Sequence, residues 1–366
     1  MVFDVHIIGG GPAGSFAGIG AIKQSANVIL SEEHSKIGYP VHCSGLVSFS
    51  GLEELKSIVD YKKIIKNSIN KAKVFGIKKN LFLEFDFPKA FVIDRAKFDI
   101  LAAQRFESEG GKIAFNSKIS KLEQLKAKNI IGADGPISCV ARMFSFPKIE
   151  EYAFCYEGTY AFKSEEKNAV EIYLNKEVFG NFFGWIIPIN EDFAKIGFGV
   201  DSGHLYLRAK NFFLEKMLKT NSKSISYFAA LIPLSLRKQT SKKIANYSVI
   251  LAGDSAGQTK ASTGGGIYFS ASCGYIAGKN FDNIKNYETE WRKNYLFDLK
   301  LHSLIHGSFK HLSQNNVDKV LELLRFIKFD KFLIENGEMD RISKTFSLSG
   351  FANYLNILAR GYYEEI

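Results

Sequence analysis

Apolar runs and helical patterns alternate along the first thirty residues of the chain. Val2–Ile8 is an apolar run typical of a buried strand, a helix of small residues is predicted from about Ser15 to Gln24, and Asn27–Leu30 is a second apolar run. The turn between the first strand and the helix, Gly9–Gly14, reads GGGPAG and follows the pattern GxGxxG. A strand, a glycine-rich turn, a helix and a second strand in this order indicate the βαβ unit that binds dinucleotides.

Each part of this unit has a physical role in dinucleotide binding. Gly9, Gly11 and Gly14 allow a tight turn, a close approach of the backbone to a pyrophosphate, and close packing of the helix on the strand. The N-terminus of the predicted helix supplies amide donors and the positive end of the helix dipole. Glu32 directly follows the second strand and is preferred to its neighbour Glu33 for binding ribose hydroxyls.

Two later segments indicate FAD rather than NAD. Asn129–Gly135 reads as a strand that ends in Asp-Gly, and Ser248–Gly257 reads as a strand that ends in Gly-Asp. The second strand leads into Ser262–Ile267 (STGGGI) and a helix of small residues that is predicted to end at about Gly278. An aspartate and backbone amides in that arrangement can hold a ribityl chain and a pyrophosphate.

Regular patterns continue through the rest of the chain. Glu171–Leu174 and Lys195–Phe198 alternate as strands do, while 205–219 and Val317–Phe326 carry apolar stripes at helical spacing. A helix is also predicted from Arg95 to Ser108, because its apolar residues follow a helical pattern and two glycines end it.

Aromatic residues concentrate around Trp185, in two apolar strands joined by Ile189–Asp192. The phenylalanines of this group are Phe179, Phe182, Phe183, Phe193 and Phe198. Such a sheet can line a site for an apolar substrate. The group as a whole favours an apolar substrate channel. For any single aromatic side chain, packing in the core is the commoner role.

The composition is that of a globular protein, with 46% hydrophobic and 23% charged residues among 366. No apolar stretch approaches the roughly 18 residues of a membrane span, and no signal peptide is expected. The net charge of +10 comes mainly from lysine, and Tyr61–Lys79 holds seven lysines and no acid. This excess suits an anionic surface or an acidic partner, whereas an ordinary solvated surface explains it equally well. Nucleic acid is not expected as a partner.

Four further motifs resemble those of the geranylgeranyl reductase family, which belongs to the flavoproteins with the para-hydroxybenzoate hydroxylase fold. Pro40–Gly45 (PVHCSG) is similar to the family's PxxCxG segment beside the flavin, and Asp94–Asp99 (DRAKFD) to its arginine-bearing helix start. Gly264–Tyr268 (GGGIY) is similar to its triple-glycine loop. Phe183–Pro188 (FGWIIP), followed by Gly197–Gly199 (GFG), is similar to its lipid-site motif.

The resemblance covers about residues 1–280, and the chain departs from the family pattern at two positions within it. Ile187 stands where the family prefers an aromatic residue, and Ala261 replaces a proline that often precedes the triple glycine. The C-terminal region also looks short for the family. These departures bear on the lipid substrate more than on the cofactor.

The resemblance implies a mixed α/β and α+β fold. A Rossmann-type FAD-binding domain carries an inserted antiparallel-sheet substrate domain and a C-terminal helical region. The FAD-binding domain is expected to be discontinuous, from 1–60, 88–150 and 240–285. The substrate domain is expected from 61–87 and 151–239, and the helical region from 286–366.

The family's binding residues can be carried onto the matching positions of this chain. The expected FAD contacts are Gly9, Gly11, Ala13, Gly14, Glu32, Cys43, Ser44, Gly45, Arg95, Ile119, Asp134, Gly253, Asp254, Gly265, Gly266 and Ile267. The expected substrate contacts are Phe183, Trp185, Pro188, Gly197 and Gly199. No metal site is expected, because His302, His306 and His311 have no third ligand at a convincing spacing and suit a packed or solvated helix face.

The implied activity is the saturation of carbon–carbon double bonds in geranylgeranyl chains, in precursors of membrane lipids, by hydride transfer from reduced FAD. The electron donor is left open between a ferredoxin and NAD(P)H. The expected location is the cytoplasm, with peripheral contact at the inner face of the membrane.

Cys43 is the candidate catalytic residue. A cysteine beside a flavin can donate a proton or form a reversible disulfide, for which Cys273 is the candidate partner. An inert buried thiol is the alternative interpretation of both residues.

Three alternative functions stay open from the sequence. A flavin monooxygenase shares the GxGxxG, Asp-Gly and Gly-Asp motifs but lacks the cysteine segment and the Trp–Pro–GxG segment. A quinone-linked electron-transfer flavoprotein is disfavoured, because the four cysteines are scattered rather than clustered around an iron–sulfur centre. A prenyl-lipid binder without catalysis would keep the channel and show no flavin turnover.

Overall fold

The computed structural model describes residues 2–218, 224–347 and 349–350. The strands in chain order are β1 (Val5–Ile8), β2 (Val28–Ser31), β3 (Leu46–Ser48), β4 (Ile65–Ile69), β5 (Lys71–Phe75), β6 (Asn80–Glu84), β7 (Ala90–Ile93), β8 (Lys112–Ala114), β9 (Asn129–Gly132), β10 (Tyr152–Ala161), β11 (Ala169–Tyr173), β12 (Gly184–Pro188), β13 (Phe193–Val200), β14 (Ser226–Pro233), β15 (Ser241–Ile244) and β16 (Tyr247–Leu251). The α-helices are α1 (Pro12–Ile22), α2 (Phe49–Leu55), α3 (Arg95–Ser108), α4 (Cys139–Met143), α5 (Lys176–Phe179), α6 (Gly203–Leu218), α7 (Ile267–Lys279), α8 (Ile284–Trp291), α9 (Phe297–Lys310), α10 (Gln314–Phe326), α11 (Phe329–Asn336) and α12 (Ile342–Thr345).

The first sheet has the order β15-β16-β9-β1-β2-β8 over the residues that the structure describes. All neighbours in it are parallel except the pair β15–β16. The residues of β1 and β2 are all buried, which is why both strands are mainly apolar. The two polar exceptions, His6 and Ser31, hydrogen-bond to each other at 2.8 Å. The predicted βαβ unit is confirmed, although β1 begins three residues later and α1 three residues earlier than predicted, with Pro12 at the first helical turn.

Helices α1 and α7 pack backbone against backbone on this sheet. A Cβ at Gly274 would lie 2.2 Å from the carbonyl oxygen of Ala13, and a Cβ at Gly278 would lie 1.8 Å from that of Ala17. On the facing helix, a Cβ at Gly20 would lie 2.4 Å from the carbonyl oxygen of Tyr275. The small residues predicted in both helices are therefore required by their close approach.

The second sheet has the order β14-β10-β13-β12-β11-β5-β6 within the described ranges. Its neighbours are antiparallel except for the parallel pair β5–β11, so the expected antiparallel sheet is mixed at one place. The predicted hairpin β12–β13 is present. Successive residues face opposite sides, because Trp185 and Ile187 pack with Cys155, whereas Ile186 packs in the cluster of the other face.

A small antiparallel sheet, β3-β7-β4, connects the two larger sheets along the chain. The helices α8–α12 follow α7, and α10 and α11 pack against β6. The predicted helix from Arg95 to Ser108 is α3, and Val317–Phe326 lies within α10. The predicted helix over 205–219 is α6, apart from residue 219, which lies outside the described residues. The predicted fold class is confirmed, while the domain limits stay a prediction.

Candidate functional site

A cavity of about 830 Å³ lies where the two larger sheets and the C-terminal helices meet. Its wall includes residues 11–13 at the start of α1, the segment from His42 to Ser48, Asp254 and the triple glycine. Apolar residues of the second sheet continue the wall, among them Val170 and Trp185. Residues of α11, of α12 and of the segment between them also contribute to the wall. Residues that are distant in sequence therefore enclose one largely apolar space.

The glycine turn has the geometry that GxGxxG requires. Gly9 has a φ of +100°, which favours glycine, and a Cβ at Gly14 would lie 1.8 Å from the Gly9 carbonyl oxygen. Glu32 is buried at the end of β2, where its Oε2 accepts a hydrogen bond from the Gly10 N–H at 2.8 Å. Its Oε1 accepts one from the His34 N–H at 3.0 Å. Glu33 instead pairs with Lys118 at 2.8 Å, so Glu32 is the acid that contacts the turn.

Arg95 and Asp254 bring opposite charges to the cavity wall. Asp94 caps α3 by accepting a hydrogen bond from the Lys97 N–H, and Arg95 then forms an ion pair with Asp99 one turn further on. Burial raises the pKa of the Asp254 carboxyl to about 6, although the nearby charge of Arg95 opposes that change. The two predicted cofactor residues therefore meet at one place.

Cys43 and its neighbours form a loop at the cavity. Cys43, Ser44 and Gly45 all contribute to the wall, and the Gly45 N–H donates a hydrogen bond to Cys43 Sγ at 3.4 Å. Burial lowers the pKa of the adjacent His42, which therefore favours its neutral form. Cys273 is fully buried in α7, away from the described lining, and burial raises the pKa of its thiol. Both thiols are free, and their redox pairing stays a prediction.

Six of the expected cofactor residues are absent from the described lining of the cavity, namely Gly9, Gly14, Glu32, Ile119, Asp134 and Gly253. Asp134 Oδ2 accepts hydrogen bonds from the Cys139 thiol at 3.1 Å and from the Val140 N–H at 3.0 Å, at the start of α4. The same thiol lies 2.9 Å from the carbonyl oxygen of Ile119. Gly253 adopts a φ of +71°, and its N–H donates to Gln258. Their contacts with a cofactor stay a prediction.

The triple-glycine loop is held by Lys260, which in turn pairs with Asp340, a contact that the sequence did not indicate. The Lys260 N–H donates to the Gly265 carbonyl oxygen at 3.0 Å, and the Gly264 N–H donates to the Lys260 carbonyl oxygen at 2.7 Å. The Lys260 ammonium lies 2.5 Å from Asp340, and both side chains are buried. Asp340 comes from the C-terminal region and also accepts a hydrogen bond from Ser48. No local pattern links these positions, which are 80 residues apart.

Only some residues of the aromatic motif line the cavity. Phe183 and Trp185 line the cavity, whereas Pro188, Gly197 and Gly199 are absent from its described lining. A Cβ at Gly197 would lie 2.7 Å from the Trp185 indole, and a Cβ at Gly199 would lie 2.3 Å from the Phe182 ring. Both glycines therefore make room for aromatic rings of the neighbouring segment, and their direct contact with substrate stays a prediction.

The structure also places a buried acid, Glu157 of β10, beside the predicted residues. Its Oε2 accepts a hydrogen bond from Trp185 Nε1 at 2.8 Å and another from the Ser44 hydroxyl. The sequence offered one available signal, which was an isolated acid in the otherwise uncharged strand Tyr152–Ala161.

The cavity suits a dinucleotide with a flavin. An added Cβ at Gly11 or Gly135 would meet no heavy atom within 4 Å, so the backbone is open to a bound group at both turns. The N-cap residue of α1, Gly11, has no side-chain cap, which leaves amides free for a phosphate. Arg95 Nε and Asp134 Oδ1 are buried, and neither has a hydrogen-bond partner in the part of the chain that the structure describes. These open turns and unpaired polar atoms fit FAD.

Comparison with known proteins identifies the family. No protein-family profile matches the chain. A digeranylgeranylglycerophospholipid reductase of Methanococcus aeolicus is 30% identical over 331 residues, which cover 80% of this chain and 83% of that protein. The chain belongs to the geranylgeranyl reductase family. An uncharacterized protein of Methanocaldococcus jannaschii is 28% identical over 364 residues, which cover 93% of this chain and 92% of that protein.

Solved structures agree on the fold of this family member. A geranylgeranyl bacteriochlorophyll reductase-like protein of Thermoplasma acidophilum superimposes with a TM-score of 0.79 at 20% identity, covering 97% of this chain and 96% of that one. A flavin-dependent brominase superimposes with a TM-score of 0.68 at 15% identity, covering 100% of both chains. At these identities the likeness concerns the fold alone. With the family established, the chain is an FAD-dependent oxidoreductase of the geranylgeranyl reductase type.

Proposed function

We propose that the chain saturates carbon–carbon double bonds in the geranylgeranyl chains of membrane lipid precursors. The observation that carries this proposal is the single cavity of about 830 Å³, which joins the flavin-binding turns to an apolar wall. The relatives named for digeranylgeranylglycerophospholipid reduction support the same substrate class.

Reduced FAD, when bound, supplies the hydride for such a reaction. The protein must then hold an unactivated double bond in a fixed orientation and keep water away from it. In our proposal, Phe183 and Trp185 position the isoprenoid chain, while Arg95 and Asp254 hold the cofactor end of the cavity. Cys43 lies in the same wall and is our candidate for giving a proton to the second carbon.

The electron donor and the membrane contact belong to the proposal as well. A ferredoxin or NAD(P)H reduces the flavin, and the enzyme meets its lipid at the inner membrane surface. The lysine-rich segment Tyr61–Lys79 contributes less free charge to that contact than its composition indicates. Its Lys63, Lys66, Lys71, Lys73 and Lys79 each form an ion pair with a carboxylate. No helix in the described part of the chain is long and apolar enough to span a bilayer.

An anaerobic single-turnover experiment tests the activity. The purified protein is reduced chemically, mixed with a geranylgeranyl glycerolipid, and followed by flavin absorbance and by mass spectrometry of the lipid. We expect flavin reoxidation together with a mass gain of two hydrogens for each bond reduced. Flavin that stays reduced beside unaltered lipid, across several prenyl substrates, would contradict the proposal. Oxygen-dependent hydroxylation of an added substrate would instead indicate a monooxygenase.

A further inference from the structure

Glu157 is a buried acid at the junction of the cofactor loop and the aromatic wall. It lies in the middle of β10, is 2% exposed, and shares a sheet face with Ala153 and Cys155. A carboxyl in such a place is costly unless its oxygens accept hydrogen bonds. It is therefore held in this position by the contacts that it makes.

Those contacts link the loop that holds Cys43 to the strand that holds Trp185. Glu157 Oε2 accepts one hydrogen bond from Ser44, next to Cys43, and a second from Trp185 Nε1 at 2.8 Å. Burial raises the pKa of Glu157, while the nearby Lys195 ammonium, the Ser44 hydroxyl and the Trp185 N–H favour its charged form. One oxygen thus connects a cofactor loop to a substrate wall.

Lys195 completes the connection from β13. Its ammonium donates to the carbonyl oxygen of Ser44 at 2.7 Å and lies 3.4 Å from that of Cys43. Glu157 therefore holds the side chain of Ser44, and Lys195 holds the backbone of the same loop. Both holding residues belong to the second sheet rather than to the FAD-binding sheet.

The neighbouring glycine shows that this geometry is built into the strands. Gly197 pairs with Glu157 on one side and with Trp185 on the other. A Cβ there would lie 2.7 Å from the indole, so glycine lets the ring lie across the strand toward Glu157. The glycine of the aromatic motif and the acid of β10 therefore serve the same arrangement.

We propose that Glu157 is a positioning residue that fixes the Cys43–Gly45 loop against the Trp185 wall, through the hydrogen bonds that one carboxylate oxygen accepts from Ser44 and Trp185. The proposal concerns the geometry of the loop, and it rests on the proposed function only for its effect on lipid turnover. Without Glu157, the loop loses the hydrogen bond of the Ser44 side chain, and of these contacts only the one from Lys195 to its backbone remains.

The test measures the accessibility of Cys43 in the holoenzyme. Wild type, Glu157→Gln and Glu157→Leu are treated with iodoacetamide, and the alkylation rate of each cysteine is read from peptide mass spectra. The leucine variant accepts no hydrogen bond, so we expect Cys43 to react about tenfold faster in it. The glutamine oxygen still accepts both bonds, so that variant should stay within about twofold of wild type. The visible flavin spectrum should shift in the leucine variant alone.

Cys139 is the control that distinguishes release of the Cys43–Gly45 loop from a general loss of rigidity. It is half-buried outside the cavity lining, and its alkylation rate should be the same in all three proteins. If Glu157→Leu does not fold, Ser44→Ala removes the loop's own hydrogen bond and should accelerate Cys43 alkylation in its place. Unchanged Cys43 rates in the folded variants, or equal acceleration in Glu157→Gln and Glu157→Leu, would overturn the proposal. These readouts need no prenyl lipid, so they stand even if the proposed activity fails.

Discussion

At the scale of single residues, Asp254 in the cavity wall is a buried carboxyl whose charged form costs stability. Its folded pKa of about 6 lies above the ordinary value of 3.8, mainly because of burial. The folded state therefore binds the proton more tightly than the unfolded state. Between these two values the free energy of unfolding falls as the pH rises, and the loss is complete above about pH 6.

Asp254→Asn should remove this cost. Each pKa unit corresponds to about 1.4 kcal/mol, so the flavin-free variant should gain up to about 3 kcal/mol in free energy of unfolding at pH 8. It should gain little at pH 4, because the cost develops only as the pH rises above the ordinary value of 3.8 toward the folded pKa of about 6. The same variant should bind FAD more weakly. Thermal melts at the two pH values and a flavin titration measure both effects.

Asp282 provides the matched control for this prediction. Its side chain is exposed between α7 and α8, so Asp282→Asn should change neither stability nor FAD affinity. A gain for Asp254→Asn of equal size at pH 4 and pH 8 would contradict the burial argument, because only the charged form is penalised.

At the scale of secondary-structure elements, the packing of α1 on α7 links the helical core to the cofactor turn. Gly274→Ala would place a methyl group 2.2 Å from the backbone oxygen of Ala13, which lies in the first turn of α1 and in the cavity wall. Because backbone cannot rotate away, the helices must separate. We expect a loss of about 1–3 kcal/mol in stability, typical of overpacking, together with weaker FAD retention. Chemical unfolding and flavin release measure the two effects.

Gly307→Ala is the control at the same scale. Gly307 lies within α9, and an added Cβ there would meet no heavy atom within 4 Å. Alanine has the higher helix propensity, so this variant should be neutral or up to about 1 kcal/mol more stable. Destabilisation of both variants would show that glycine substitution in a helix, rather than contact with α1, causes the loss.

The elements that the sequence predicted correctly are those governed by local patterns. The strands around Gly9–Gly14, the helix from Arg95 to Ser108 and the hairpin of Trp185 each follow from apolar periodicity and from glycine placement. Helix limits were less certain, since α1 begins at Pro12 rather than at Ser15. A proline in the first turn explains the difference.

Long-range contacts explain what the sequence could not predict. Glu157 meets Ser44 across 113 residues, and Lys260 meets Asp340 across 80. Neither pair has a spacing that a helix or strand imposes. The strand pattern predicted the aromatic residues as one group around an apolar site. In the structure they lie on two opposite faces of the second sheet. Trp185 and Phe183 face the cavity, whereas Phe179 and Phe198 pack in the cluster of the opposite face.

At the scale of the whole molecule, the C-terminal helices form part of the cavity wall. Phe329 and Leu333 of α11 and Thr345 of α12 belong to its wall, and Asp340 between the two helices reaches Lys260 beside the triple glycine. Under the proposed function, this region therefore limits in part the length of isoprenoid chain that fits the cavity.

Leu333→Trp should shorten the usable cavity under the proposed function. The larger side chain would project into the space lined by α11, so turnover of a geranylgeranyl substrate should fall about tenfold or more, the range for one misfitting group in an apolar pocket. A geranyl substrate, half as long, should be affected much less. Leu323→Trp, at an exposed position of α10, should change neither rate. Equal losses for both chain lengths would mean that Leu333 supports the fold rather than limits the length of the bound chain.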